Sequence, residues 1–140
     1  MKAIVAVDGN LGIGVGNDLA FRNKDDLKWF KQCTVGEVCV AGYNTYQTVK
    51  HLQDRTVLLY NEYWKQAFTL NPEKHKDKWI IGGAATYKEL APLTKEVYIT
   101  FFKDSNKDCD VFLDVFEVYA HLKNKELLHT NKDFTVWKWS

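Results

Sequence analysis

Residues Trp79 to Leu93 read WIIGGAATYKELAPL: a short apolar run, two glycines, then a stretch of helix formers that reaches Pro92. Trp79 to Gly83 is too short and too apolar for an amphipathic helix and suits a strand covered on both faces, while AATYKELAPL reads as a helix that the proline ends. The same order recurs upstream, where Glu37 to Ala41 (EVCVA) passes through Gly42 into YNTYQTVKH, a short helix starting at Asn44 or Thr45. Lys2 to Val7 (KAIVAV), Arg55 to Tyr60 (RTVLLY) and Glu96 to Phe102 (EVYITFF) supply three more buried strands. The chain closes with ELLHT and FTVWKW about Asn131-Lys132, a hairpin pattern. Strands alternating with helices, then an antiparallel hairpin, predict an α/β protein with a central mixed, mostly parallel sheet flanked by helices. Ligands of such sheets bind beyond the carboxyl ends of the parallel strands, where both glycine-to-helix junctions lie. Each junction offers free backbone N–H groups and a positive dipole end, which suit phosphate.

A second informative stretch is Gly12 to Phe30, GIGVGNDLAFRNKDDLKWF. Its glycines let the backbone approach a flat partner closely, although they do not form the dinucleotide fingerprint and open no helix, so by glycine spacing alone a plain surface turn is the better reading. Asn23 is a predicted N-cap, with a helix from about Lys24. Leu27, Phe30 and Thr34 follow at helical spacing, and Asp26 shares a face with Trp29, Phe30 and Cys33, while Asp25 turns to water. By itself Asp26 reads as an acid stabilised by the helix dipole, and Trp29 and Phe30 as core. In combination they read as a closable loop with one carboxylate at the floor of an apolar pocket.

Composition narrows the field. With 140 residues and a formal net charge of +1 from dispersed lysines and acids, the expectation is one globular domain over residues 1–140, without the clustered basic face of a nucleic-acid binder. Cys33, Cys39 and Cys109 are odd in number and share no ligand spacing. No charged-then-apolar leader and no apolar run near ~20 residues is present, so a cytoplasmic chain with reduced thiols and no membrane span is expected. His51, His75, His121 and His129 are isolated from one another, which gives no expectation of a metal site or a nucleophilic triad. Asn61 to Lys78 is polar and hard to assign, with AFTL as a candidate edge strand; residues 103–110 form a charged loop; VFLDVFEVYAHLK is open between helix and irregular structure.

The segments IVAVDGNLGIGVGNDLAF, DDLKWFKQCT, VAGYNTYQTV, DRTVLL, IIGGAATYKEL and EVYITFF, in that order, resemble dihydrofolate reductase over about the first three-quarters of the chain. The resemblance implies the single-domain fold of that family and reduction of dihydrofolate to tetrahydrofolate with NADPH, in a monomer. It gives Asp26 the role of the pocket carboxylate that grips the pterin's amino-pyrimidine edge and promotes N5 protonation, with Thr100 supporting it. Ile4, Val5, Leu27, Phe30 and Leu52 become the apolar walls of the substrate site, and Arg55 the partner of the substrate's glutamate carboxylate. The loop from Gly9 to Arg22 becomes a mobile lid, with Ile13, Gly14, Asn17 and Leu19 over the nicotinamide and Ala6 and Val7 at its carboxamide. Gly42, Tyr43, Asn44 and Thr45 form one phosphate turn, and Ile81, Gly82, Gly83, Ala84, Ala85, Thr86 and Tyr87 the other. Phe21 stands where the family has a catalytic tryptophan, and Ala20 where a proline precedes it. Tyr43 stands where a basic residue is expected beside the adenosine 2′-phosphate, and Asn61 and Glu62 follow on the next strand. Glutamate repels phosphate, so the choice between NADPH and NADH stays open unless Lys65, Lys74 or Lys76 reaches in. A riboflavin-pathway pyrimidine reductase and a catalytically decayed folate-binding module of the same fold are the alternatives.

Overall fold

The computed structural model describes all 140 residues. In chain order its main elements are β1 (Lys2–Val7), β2 (Gly12–Val15), β3 (Asp18–Leu19), α1 (Lys24–Thr34), β4 (Val38–Ala41), α2 (Tyr43–Val49), β5 (Thr56–Leu59) and α3 (Glu62–Leu70). After these come β6 (Trp79–Gly82), α4 (Ala84–Leu90), β7 (Glu96–Phe102), β8 (Val111–Phe112), α5 (Val115–Val118), β9 (Lys125–Thr130) and β10 (Phe134–Trp139). A seven-stranded sheet runs β5-β4-β6-β1-β7-β10-β9. Strands β5, β4, β6, β1 and β7 are parallel, and β10 and β9 are antiparallel to their neighbours. This is the mixed α/β architecture expected from the alternation of strand and helix.

Strand alternation divides the core in two. On β1, Ala3, Val5 and Val7 join Val97, Ile99, Phe68, Tyr87, Val115 and Tyr119 in a cluster under α3, α4 and α5. Ile4 and Ala6 point the other way, towards α1, which lays Trp29, Phe30 and Cys33 over Ile4, Cys39, Trp79 and Ile81, and Trp29 again near Ala6. Asn23 begins α1 as expected: its side-chain oxygen accepts from Asp25 N at 2.9 Å and Asp26 N at 3.1 Å. Two turns later the apolar face ends at Thr34, and Gly36, at φ +75°, turns the chain into β4.

Three expectations are corrected. AFTL is not an edge strand but the end of α3, because Asn61 caps a helix that places Trp64 and Phe68 one turn apart. Phe68 is fully buried between Trp64, at 5.6 Å between ring centroids, and His75, at 5.0 Å. α2 begins at Tyr43, with Gly42 as N-cap, one residue before the expected start. The glycine loop is no plain turn: β2 and β3 form a hairpin that adds β8 as a third strand. The partner that makes this possible lies nearly a hundred residues downstream. The stretch left open after residue 110 resolves into β8, α5 and a turn.

Candidate active site

The carboxyl ends of β1 and β7, the first turn of α1 and the β2–β3 hairpin meet at one place. Register sets Ala6 beside Thr100, and Thr100 beside Val136, across three neighbouring strands. Above this row stands Asp26, only 7% exposed although it is charged and lies in a helix's first turn. Burial raises its pKa above the ordinary carboxylate range, while the Thr100 hydroxyl, within hydrogen-bonding reach, pulls in the opposite direction. No cation acts on it. Asp25, one residue earlier, is exposed. An unpaired buried carboxylate of raised pKa keeps its proton to higher pH than an exposed one and, when ionised, can accept two parallel N–H donors from a planar ligand.

Leu27 and Phe30 are half-buried on the same helix, and Phe30 packs on the cluster that holds Ile4 of β1. Val5 and Val7 do not: both side chains lie in the opposite core. This corrects the expectation that Val5 walls the pocket; strand period two leaves Val5, and Val7 expected at a carboxamide, backbone groups to offer the site. Phe21 packs on Phe102 with ring centroids 4.9 Å apart. Farther along α1, the Arg55 side chain is 6% exposed, 5.7 Å from the Phe30 ring, and donates to Asp54 at 2.9 Å and to Thr34 Oγ1 at 3.0 Å. Its remaining N–H groups are free for an incoming carboxylate. Leu52 is half-buried in the turn between α2 and Arg55.

The β2–β3 hairpin is rooted by residues that sequence reasoning missed. Asp8, read there only as a turn signal, is 2% exposed and accepts from Asn10 N, Gly12 N and Asn106 N, each at 2.8 Å. Desolvation works against its charge, but those amides outweigh it and hold its pKa below the usual value. Asp110 accepts from Gly16 N at 2.8 Å, and Asn106 donates to the Ala20 carbonyl at 2.8 Å. Residues 103–110 therefore buttress the hairpin at both ends. Ile13 packs on the main core, Gly14 pairs with Leu19, and Asn17 and Leu19 are exposed at the hairpin tip.

The two glycine junctions interlock. Gly42 N donates to the Gly82 carbonyl at 2.8 Å, so the starts of α2 and α4 stand side by side beyond β4 and β6. A Cβ on Gly42 would lie 2.5 Å from Thr86 Oγ1, and one on Gly82, at φ +137°, would lie 2.9 Å from Thr45 Oγ1. The Gly82–Gly83 peptide is cis. Neither helix has a side-chain cap, so the first amides, of Tyr43, Asn44 and Thr45 and of Ala84 and Ala85, have no capping acceptor. A bare pair of amide-lined cradles, with no Cβ in the way, fits a diphosphate. Ile81 is buried under α1, and Tyr87 is buried in the core with its hydroxyl donating to the Ile4 carbonyl at 2.6 Å, so Tyr87 reaches the site through β1.

The sequence model of the dihydrofolate reductase family matches residues 1–137. The chain belongs to the dihydrofolate reductase family. It is 27% identical to a dihydrofolate reductase of Buchnera aphidicola, over 88% of this chain and 84% of that one. It is 23% identical to a type 9 dihydrofolate reductase of Escherichia coli, over 98% and 92%. Its fold superposes on a dihydrofolate reductase of Enterococcus faecalis, solved with NADP(H) and RAB-propyl, with a TM-score of 0.71 at 18% identity, covering 99% of this chain and 94% of that one.

Proposed function

We propose that the chain reduces 7,8-dihydrofolate to 5,6,7,8-tetrahydrofolate with NADPH, and that Asp26 promotes protonation of N5. The observation that carries this reading is the buried, cation-free Asp26 beside Thr100, in the first turn of a helix that packs Phe30 over Ile4. When bound, NADPH supplies a hydride from its nicotinamide ring to pterin C6. The chain's own work is alignment and proton management. Asp26 accepts the N–H groups of the amino-pyrimidine edge and through that contact favours the proton on N5. Phe30 and Leu27 hold the ring and the aminobenzoyl group, and Arg55 takes a carboxylate of the glutamate tail. Ala6, through its side chain and backbone, and Val7, through its backbone, flank the nicotinamide end. Ile13, Gly14, Asn17, Leu19 and Phe21 cover it from the hairpin, and Gly42–Thr45 with Gly82–Thr86 hold the diphosphate.

We further propose a monomer of the cytoplasm that needs no nucleic acid or membrane. Three free thiols support that location, and no helix is long and apolar enough to cross a membrane. The test is direct: purified protein, dihydrofolate and NADPH, followed by loss of near-ultraviolet absorbance. Turnover that collapses in Asp26→Asn supports the reading. A folded protein that binds a folate analogue yet shows no turnover refutes it.

A further inference from the structure

The proposed cofactor groove crosses the strand ends in the order β1, β6, β4, β5. Neighbouring strands stand about 4.8 Å apart, which puts β5 roughly 14 Å from β1. With the nicotinamide end beside Asp26 and the diphosphate at Gly42 and Gly83, the adenosine end falls beyond β5. There the chain presents Asn61 and Glu62, with Tyr43, 67% exposed, at the neighbouring helix start. Asn61 is committed, its side-chain oxygen accepting from Trp64 N at 3.1 Å. Glu62 is an exposed carboxylate in the first turn of α3.

No free cation answers it. Lys65, one turn along α3, is held by Glu89 of α4 at 3.2 Å. Glu89 and Glu62 both act on the Tyr60 hydroxyl and on Lys65, so the group as a whole is net negative. Lys50 follows the last turn of α2, and Lys88 is in the last turn of α4, each away from the cradles. Lys74, Lys76 and Lys78 precede β6 and Arg55 precedes β5, which places all four at the opposite end of the sheet. The lysines that could have rescued a 2′-phosphate site are therefore paired or remote.

We infer that this groove reads the adenosine ribose as a diol, with Glu62 accepting a hydrogen bond from its 2′-hydroxyl, so that NADH is bound at least as tightly as NADPH. The inference rests on the reductase reading of the groove. In parallel α/β sheets an acidic residue at the strand end beside the diphosphate suits a free 2′-hydroxyl, and an arginine suits a 2′-phosphate. A doubly charged phosphate at roughly 6 Å from one carboxylate in water is disfavoured about tenfold.

The test is equilibrium binding of NADH and of NADPH to the intact protein, followed by quenching of tryptophan fluorescence, with the two turnover rates measured alongside. The expected result is an NADH dissociation constant equal to or below that of NADPH. Glu62→Arg should shift the ratio towards NADPH by at least about tenfold, and Glu62→Gln should shift it the same way by less. NADPH bound more than about threefold tighter than NADH by the unaltered protein, or equal effects of Glu62→Arg on both cofactors, overturns the inference while leaving the reductase reading intact. Binding of neither cofactor overturns both.

Discussion

Replacing Asp8 with alanine removes the acceptor of three backbone N–H groups, those of Asn10, Gly12 and Asn106, each 2.8 Å away. The Gly12 bond is buried and the other two are partly so, so water can replace two of the lost partners but not the third. Counting about 1.5 kcal/mol for the orphaned buried donor and under 1 kcal/mol for each of the others gives a loss of about 3 kcal/mol. For a chain of this size that is roughly 10 °C in Tm. Asp8→Asn separates the contributions. Its amide oxygen keeps the Asn10 and Gly12 bonds on one side, but its NH2 confronts the Asn106 N–H, so about half of the loss is expected. Urea unfolding at pH 7 measures both variants. Acid titration adds a signature: the folded-state pKa of Asp8 lies below its unfolded value, so its contribution is complete above the unfolded value near ~3.9 and is lost as pH falls through the folded one. The gap between wild type and Asp8→Ala must therefore narrow only in that acid window. A loss under about 1 kcal/mol at pH 7, or a gap that does not change with acid, refutes the view that Asp8 anchors both loops.

Asp26 has the opposite linkage. Its folded-state pKa is raised, so as pH rises from the unfolded value through the folded one, the native state holds a proton that the unfolded chain has released, and stability falls. Asp26→Asn is expected to lower turnover at least ~100-fold while raising stability at pH 7, the two variants converging below about pH 4; a variant both inactive and less stable at pH 7 contradicts the buried-charge account. Arg55→Leu should raise KM for dihydrofolate about 10-fold or more and leave a pterin substrate without the glutamate tail unaffected, since the guanidinium contacts only the tail; steady-state kinetics with both substrates decide it. Phe68→Ala should cost about 3 to 5 kcal/mol in urea unfolding, because the ring is fully buried between Trp64 and His75, and should leave cofactor affinity per folded molecule unchanged.

What was legible in the sequence was what depends on near neighbours. Asn23 before an apolar stripe fixed the start of α1 and the inward turn of Asp26, and WIIGG followed by AATYKEL set a strand and a helix start within a residue or two. α3 was hidden because AFTL has a strand-like composition, and the Trp64–Phe68 pair gains its meaning from Tyr60 and His75, which approach only in the folded core. The hairpin of β2 and β3 was hidden for a related reason: its third strand and its two tethers, Asp110 and Asn106, come from the far end of the chain. Val5 was expected beside Asp26 although the alternation in KAIVAV turns its side chain, like that of Val7, to the opposite core. A strand apolar at nearly every position shows no polar face by which to tell its sides apart. Roles transferred to such a strand need the structure to say which are side-chain roles and which belong to the backbone.

Of the seven strands in this sheet, the one made before the others is also the innermost. β1 pairs on one side with β6 and on the other with β7, whose last residues are Gly82 and Phe102. During synthesis at about 5 to 20 residues per second, KAIVAV thus waits roughly 5 to 20 s after leaving the ribosome before both neighbours exist. For that interval a sticky apolar segment has no partner in its own chain, and the nascent protein depends on holding factors or on weak local collapse to keep it from other chains. Faster translation of the middle of the message should therefore raise soluble yield, with no change in the finished molecule.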